Sequence, residues 1–70
     1  MKPVLYSKRT GCGQCIAAKR DLDSRGIDYE LRYAEDHLDS LAAMGARQMP
    51  VLVVGDMWYQ AYRPDIIATL

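Results

Sequence analysis

The chain has 70 residues, half of them apolar, and its nine basic and nine acidic side chains cancel. A chain this short makes one domain, residues 1–70, and buries only about 60% of its unfolded surface. No apolar run approaches the length of a membrane-spanning helix, and Lys and Arg do not cluster across the whole domain as in a nucleic-acid-binding protein.

The charges are unevenly spread. Residues 1–25 carry six basic against two acidic side chains, and residues 26–70 carry three against seven. The N-terminal part is therefore expected to be electropositive. Its opening, with Lys2 and Pro3 before a short apolar run and Lys8 and Arg9 after it, is too short and too charged for a secretory signal. A cytoplasmic location is expected.

Residues 3–7 read as a strand, with Pro3 at the first position, where a missing N–H is tolerated. A polar loop ends in Gly11, and a helix is predicted from Gly13 or Gln14 to Arg25. Cys15, Ala18 and Leu22 share one face of it, and Gly26 suits the position just past its end. Residues 27–33 alternate, with Ile27, Tyr29, Leu31 and Tyr33 on one face, and predict a strand. A right-handed crossover makes it parallel to the first. Asp36 is placed to cap a second helix carrying Leu38, Leu41, Ala42 and Gly45 on one face. Pro50 opens a third strand over residues 51–54, Gly55-Asp56 turns the chain into a fourth over residues 57–60, and Pro64 starts a closing helix with Ile66, Ile67 and Leu70 apolar.

Both cysteines of the chain, Cys12 and Cys15, fall at the start of the first helix. A disulfide between them closes too short a loop to constrain the unfolded chain appreciably, so the pair is free for chemistry. In a chain without an export signal such a pair is redox-active or metal-binding. The thiolate is the attacking species. A free cysteine, with a pKa of about 8.5, is only a few per cent ionised at neutral pH. Cys12 would meet the unpaired N–H groups and positive dipole end of its helix, with Lys8 and Arg9 close in sequence, and a depression of roughly two units would leave it mostly ionised. Cys15, one turn on and facing inward, would be the resolving thiol. A zinc site is the competing reading; it needs four ligands, and His37 is the one histidine that could join the two sulfurs. His37 otherwise reads as solvated, Trp58 as packing on a strand face, and Tyr6 as core.

The order β-α-β-α-β-β-α, with Cys-x-x-Cys after the first strand and a proline before the third, resembles the thioredoxin fold in its minimal glutaredoxin-like form. This is an α/β fold in which a four-stranded mixed sheet is flanked by helices. The resemblance covers nearly the whole chain. It implies that the third and fourth strands run antiparallel to the first two. It also implies a cis bond at Met49-Pro50 beside the cysteines, with the preceding backbone free to pair with an extended substrate.

The segments Cys12-Gly13-Gln14-Cys15, Arg47-Gln48-Met49-Pro50-Val51, Gly55-Asp56 and Tyr62-Arg63-Pro64-Asp65 are similar to the NrdH-redoxin group. That resemblance implies a dithiol oxidoreductase in which Cys12 attacks and Cys15 resolves. Lys8, Gly13, Gln14, Met49, Pro50, Tyr62, Arg63 and Asp65 would bind substrate. Ribonucleotide reductase would be the acceptor and thioredoxin reductase the donor; NADPH would be used only by that reductase. The carrier itself would be a monomer with no metal and no cofactor beyond its own disulfide. Read from the residues alone, Arg63 and Asp65, which flank Pro64, are either a local hydrogen-bonded brace near the site or simple helix charge. A glutathione-dependent glutaredoxin, or a cluster-binding module using the same cysteines, is the alternative. Against glutathione, the segment Ala61-Tyr62-Arg63-Pro64-Asp65 stands where glutathione users carry Gly-Gly-x-Asp, and a bulky Tyr62 and a proline replace that opening. The chain departs from the group in placing Trp58 one position early, in Ala61 for a glycine, which would restrict the backbone there if it needs positive φ, and in Gly13 for a larger residue.

Overall fold

The structure, a computed structural model, describes residues 2–70. The two inner strands of a four-stranded sheet are β1 (Val4–Ser7) and β3 (Val51–Val54); β2 (Glu30–Tyr33) pairs with β1 and β4 (Met57–Gln60) with β3 at the edges. The spatial order is β2-β1-β3-β4. The described residues also form three α-helices: α1 (Gly13–Ser24), α2 (Leu38–Met44), preceded by a 3₁₀ turn at Ala34–Asp36, and α3 (Pro64–Ile67).

Alternation along the inner strands divides the core in two. Leu5 pairs with Leu52, and Tyr6 with Val51. Leu5 and Leu52 point to one face, where they meet Ala18 and Leu22 of α1 and Ile67 of α3. Tyr6 and Val51 point to the other, where they meet Ala34 and Leu41. Helices therefore cover both faces, α1 and α3 on one side and α2 on the other. The predicted inward face of α1 is the observed one, with Cys15, Ala18 and Leu22 buried.

The strand directions correct one expectation. β2 is parallel to β1 and β3 antiparallel to it. β4, antiparallel to β3, runs with the first two, so β3 alone is reversed. The physical reason is the two-residue Gly55-Asp56 link, which forces β4 to fold back along β3. Gly55 has φ 60°, a region glycine enters without steric cost.

Three elements, β2, α2 and α3, are shorter than their patterns predict. β2 starts at Glu30 because its partner offers no more ladder. Glu30 bonds through its N–H to the Pro3 carbonyl at 2.8 Å, and Pro3 has no N–H to continue the pairing. Ile27 and Tyr29 still pack on the α1 side with Leu31, whereas Tyr33 is exposed. α2 is not capped by Asp36. His37 occupies the cap position without a side-chain bond, and the Asp36 carboxylate is drawn to Arg9 at 2.6 Å. Leu38 is 63% exposed, and Ala42 and Gly45 are exposed as well. The inward residues of this region are Ala34 and Leu41, with Met44 and Ala46 packed beside them. His37 is half-buried, its ring edge-on to Tyr6 with centroids 5.4 Å apart. Trp58 packs on the α2-side core, and Leu70, beyond α3, is largely exposed.

Candidate redox site

Cys12 is the N-cap residue of α1, with extended backbone (φ −127°, ψ 98°). In that position its side chain takes the role that Ser or Asp plays at other helix starts. The Cys15 N–H donates to Cys12 Sγ at 3.2 Å. A helix N-terminus leaves such N–H groups without backbone partners, and together with the dipole they favour negative charge at that point. The fold thus places the first sulfur where an anion is stabilised. It places the second, on the buried face of the first turn, at 1% exposure. The structure is of the oxidised form, with Cys12 and Cys15 joined and their Cα atoms 5.2 Å apart.

Met49-Pro50 is a cis peptide and leads directly into β3. Pro50 is fully buried. The Met49 carbonyl oxygen lies 3.8 Å from Cys12 Sγ, so the chain entering β3 passes beside the reactive sulfur. From there a groove of about 650 Å³ opens toward α2, with Lys8, Gln14 and Met49 on its rim and Leu38 and Ala42 along its wall.

The remaining residues named from the sequence fall around this centre at different removes. Gly13 opens α1 and is exposed; a Cβ there would meet nothing within 4 Å. Gln14 turns its side-chain oxygen onto the Tyr62 N–H at 2.9 Å. The Tyr62 side chain does not enter the groove; it lies against the α1-side core, and its hydroxyl donates to Asp21 at 2.9 Å. Arg63 and Asp65 form a two-pronged pair at 3.1 and 2.9 Å, with the guanidinium 5.6 Å from the centre of the Tyr59 ring. Arg63 keeps the Asp65 carboxyl below its ordinary value.

Arg9 is occupied elsewhere. It is paired with Asp36, its backbone N–H donates to Glu35, and its guanidinium sits 4.5 Å over the Tyr33 ring. The electropositive N-terminal part is to that extent neutralised in space by carboxylates from later in the chain.

One network was missed in the sequence. Asp21 receives Arg25 at 2.7 Å as well as the Tyr62 hydroxyl. The Arg25 guanidinium, then the Tyr62 hydroxyl, hold its carboxyl below the ordinary value, and the Asp21 carboxylate raises the Tyr62 phenol in turn. The Asp21/Arg25 spacing on one helix was a visible signal; the partner 41 residues away had none. Among the described residues, no group of three or more His, Cys, Asp or Glu side chains is arranged to hold a metal ion, and no helix is long and apolar enough to cross a membrane.

A sheet of this order, a cysteine pair capping its first helix and a cis-proline beside it define a thioredoxin-fold dithiol protein. The glutaredoxin family model matches residues 4–58, and the chain belongs to that family. It is 42% identical to the glutaredoxin-like protein NrdH of Salmonella typhimurium, with all of this chain and 89% of that protein aligned. It is 37% identical to NrdH of Escherichia coli K12 over the same shares. Among solved structures it is similar to the NrdH-redoxin of Escherichia coli, described as a glutaredoxin-like protein with a thioredoxin-like activity profile. The TM-score there is 0.92 at 36% identity, with 100% of this chain and 95% of that one covered. A glutaredoxin from Archaeoglobus fulgidus shares the fold, with a TM-score of 0.79 at 22% identity over 99% of this chain and 84% of that one. The protein is an NrdH-type thiol–disulfide oxidoreductase with a redox-active Cys12–Cys15 pair.

Proposed function

We propose that the chain carries electrons from thioredoxin reductase to ribonucleotide reductase in the cytoplasm. The reading is supported by full-length similarity to NrdH proteins. The single observation that carries the chemistry is the Cys15 N–H on Cys12 Sγ at the cap of α1. In the reduced protein the Cys12 thiolate attacks the acceptor disulfide, and a mixed disulfide forms as one acceptor thiolate leaves. Cys15 then attacks Cys12 Sγ, releasing the second acceptor thiolate. Two electrons have passed, and the Cys12–Cys15 disulfide is returned to the dithiol by the reductase, where NADPH is consumed. The carrier needs no cofactor or metal of its own and works as a monomer.

The acceptor approaches as an extended chain along Met49-Pro50, with Lys8, Gly13 and Gln14 bordering it. Arg63, Asp65 and Tyr62 hold the neighbouring loop in place. Glutathione is a poorer donor in this reading. A bulky Tyr62 and Pro64 replace the glycine-containing opening, and the Tyr62 N–H is already taken by Gln14.

The test is NADPH oxidation in a mixture of thioredoxin reductase, the protein and oxidised ribonucleotide reductase. Turnover is expected with that mixture and little with glutathione reductase and glutathione in place of thioredoxin reductase; the opposite preference rejects the proposal. Cys12→Ser abolishes transfer, whereas Cys15→Ser accumulates a mixed disulfide with the acceptor, visible by mass spectrometry.

A further inference from the structure

Resolution requires the buried thiol to ionise. Cys15 is 1% exposed and belongs to the inward face of α1, next to Ala18 and Leu22. Apolar burial disfavours a thiolate, and the N–H groups that favour charge at the helix start serve Cys12. Among the described residues, no carboxylate lines the small cleft of about 100 Å³ that both cysteines border. What does line it, besides the Ser7–Cys12 loop and Ile16, is Tyr33 and one further cation from α1, Lys19.

Lys19 follows Cys15 by one helical turn. Side chains on a helix lean back toward its N-terminus, so residue i+4 covers residue i. Lys19 is half-buried, and among the described residues it has no ion-pair partner. Asp23, one turn further on, shares a surface groove with Lys19 but makes no ion pair with it, and accepts from the Tyr29 hydroxyl at 3.0 Å. Arg9 on the opposite wall is tied to Asp36 and lies over Tyr33. Lys8 is exposed on the rim.

We propose that Lys19 is a positioning residue for the resolving step: its ammonium, held over the first turn of α1, stabilises the Cys15 thiolate. When Cys12 is in mixed disulfide, the Cys15 S–H gives its proton to water. The thiolate left beside Lys19 forms a bond to Cys12 Sγ; the bond from Cys12 to the acceptor sulfur breaks, and the acceptor leaves as thiolate. Lys19 exchanges no proton or electron. The inference rests on dithiol exchange at Cys12 and Cys15, not on which reductase or acceptor is used.

The experiment therefore uses neither. The reduced protein is mixed in stopped flow with an aryl disulfide, dithiobis-nitrobenzoate. The first coloured aryl thiolate reports attack by Cys12, and the second reports resolution by Cys15. With Lys19→Met the second phase is expected to slow about tenfold near neutral pH, the equivalent of one unit in the ionisation of a thiol, while the first phase holds. The deficit closes at pH well above the ordinary thiol value of about 8.5, where Cys15 ionises unaided. Lys19→Arg restores the rate, and Arg20→Met, which removes an exposed charge from the same helix, leaves both phases unchanged. The proposal is overturned if the second phase is unaffected, if both phases slow together, if the deficit is the same at every pH, or if arginine does not rescue. Failure of the reductase assay alone would leave this result standing, and the reverse also holds.

Discussion

Ala61 stands at φ 66°, among the described residues the one non-glycine in the left-handed region. An L-residue there brings its Cβ close to the following carbonyl, at roughly 1–2 kcal/mol. The position is fixed by its neighbours: β4 ends at Gln60, whose side chain accepts from the Arg47 N–H at 3.0 Å, and the next residue, Tyr62, is held by Gln14. The chain must turn between these two anchors, and only residue 61 lies there to do it. Ala61→Gly is expected to stabilise the protein by about 0.5–1 kcal/mol, the strain relieved less the greater entropy that glycine adds to the unfolded chain. A urea titration checks it: the midpoint rises with the slope unchanged. A lower midpoint would mean that the turn prefers a side chain. The core gives a contrasting case. Leu22 is fully buried between α1 and the sheet, and Leu22→Ala should cost about 2–5 kcal/mol by the same measurement.

At the scale of elements, the junction from α1 to β2 is held by a side-chain bond that senses alkaline pH. The Tyr29 hydroxyl donates to Asp23; burial first, and that bond second, push its phenol from 10.0 up to about 12. The neutral phenol is thus favoured by the fold. Its contribution is complete below the unfolded value near 10 and is lost as pH rises toward 12. The denaturation midpoint should fall across that window, and Tyr29→Phe should flatten the fall; an equally steep limb in the variant would place the sensitivity elsewhere. Elements defined by local signals are legible in the sequence: α1 from its apolar spacing and Gly26, the β3–β4 hairpin from Gly55-Asp56, the start of α3 from Pro64. Those set by a distant partner are not. β2 loses its first residues because β1 begins after Pro3, and α2 loses its expected cap because Arg9 takes Asp36. The direction of β4 followed from its own tight turn, which outweighs the implied pairing with β3 in one direction.

In the whole molecule, the site divides the same way. Cys12 and Cys15 were legible because they form a short motif with its own chemistry, whereas Met49-Pro50 read by itself as a strand-start proline and its cis bond beside the cysteines was implied by the family resemblance alone. The ties that hold α1 against the β4–α3 joint were not legible, since Tyr62 reaches Gln14 across 48 residues and Asp21 across 41. Charge behaves likewise: the basic excess of the first 25 residues is partly met in space by Asp36, Glu35 and Asp28. The Asp21–Tyr62 tie yields a prediction about acid. Arg25 and Tyr62 hold the Asp21 carboxyl below its ordinary 3.8, so the ionised form is favoured by folding. That contribution is fully present above the unfolded value and is lost as pH falls through the lower folded one. Asp65 is shifted in the same direction by Arg63, but its partner is two residues away and the contact persists in part when the chain unfolds. The bond from Tyr62 to Asp21 cannot. The urea midpoint should therefore drop as pH is lowered below about 3.8, Asp21→Asn should remove more of that drop than Asp65→Asn, and Tyr62→Phe should lie between. If Asp65→Asn flattens the acid limb as much as Asp21→Asn, the long-range tie contributes no more than a local ion pair, and the joint beside the redox site is held by Gln14 and apolar packing instead.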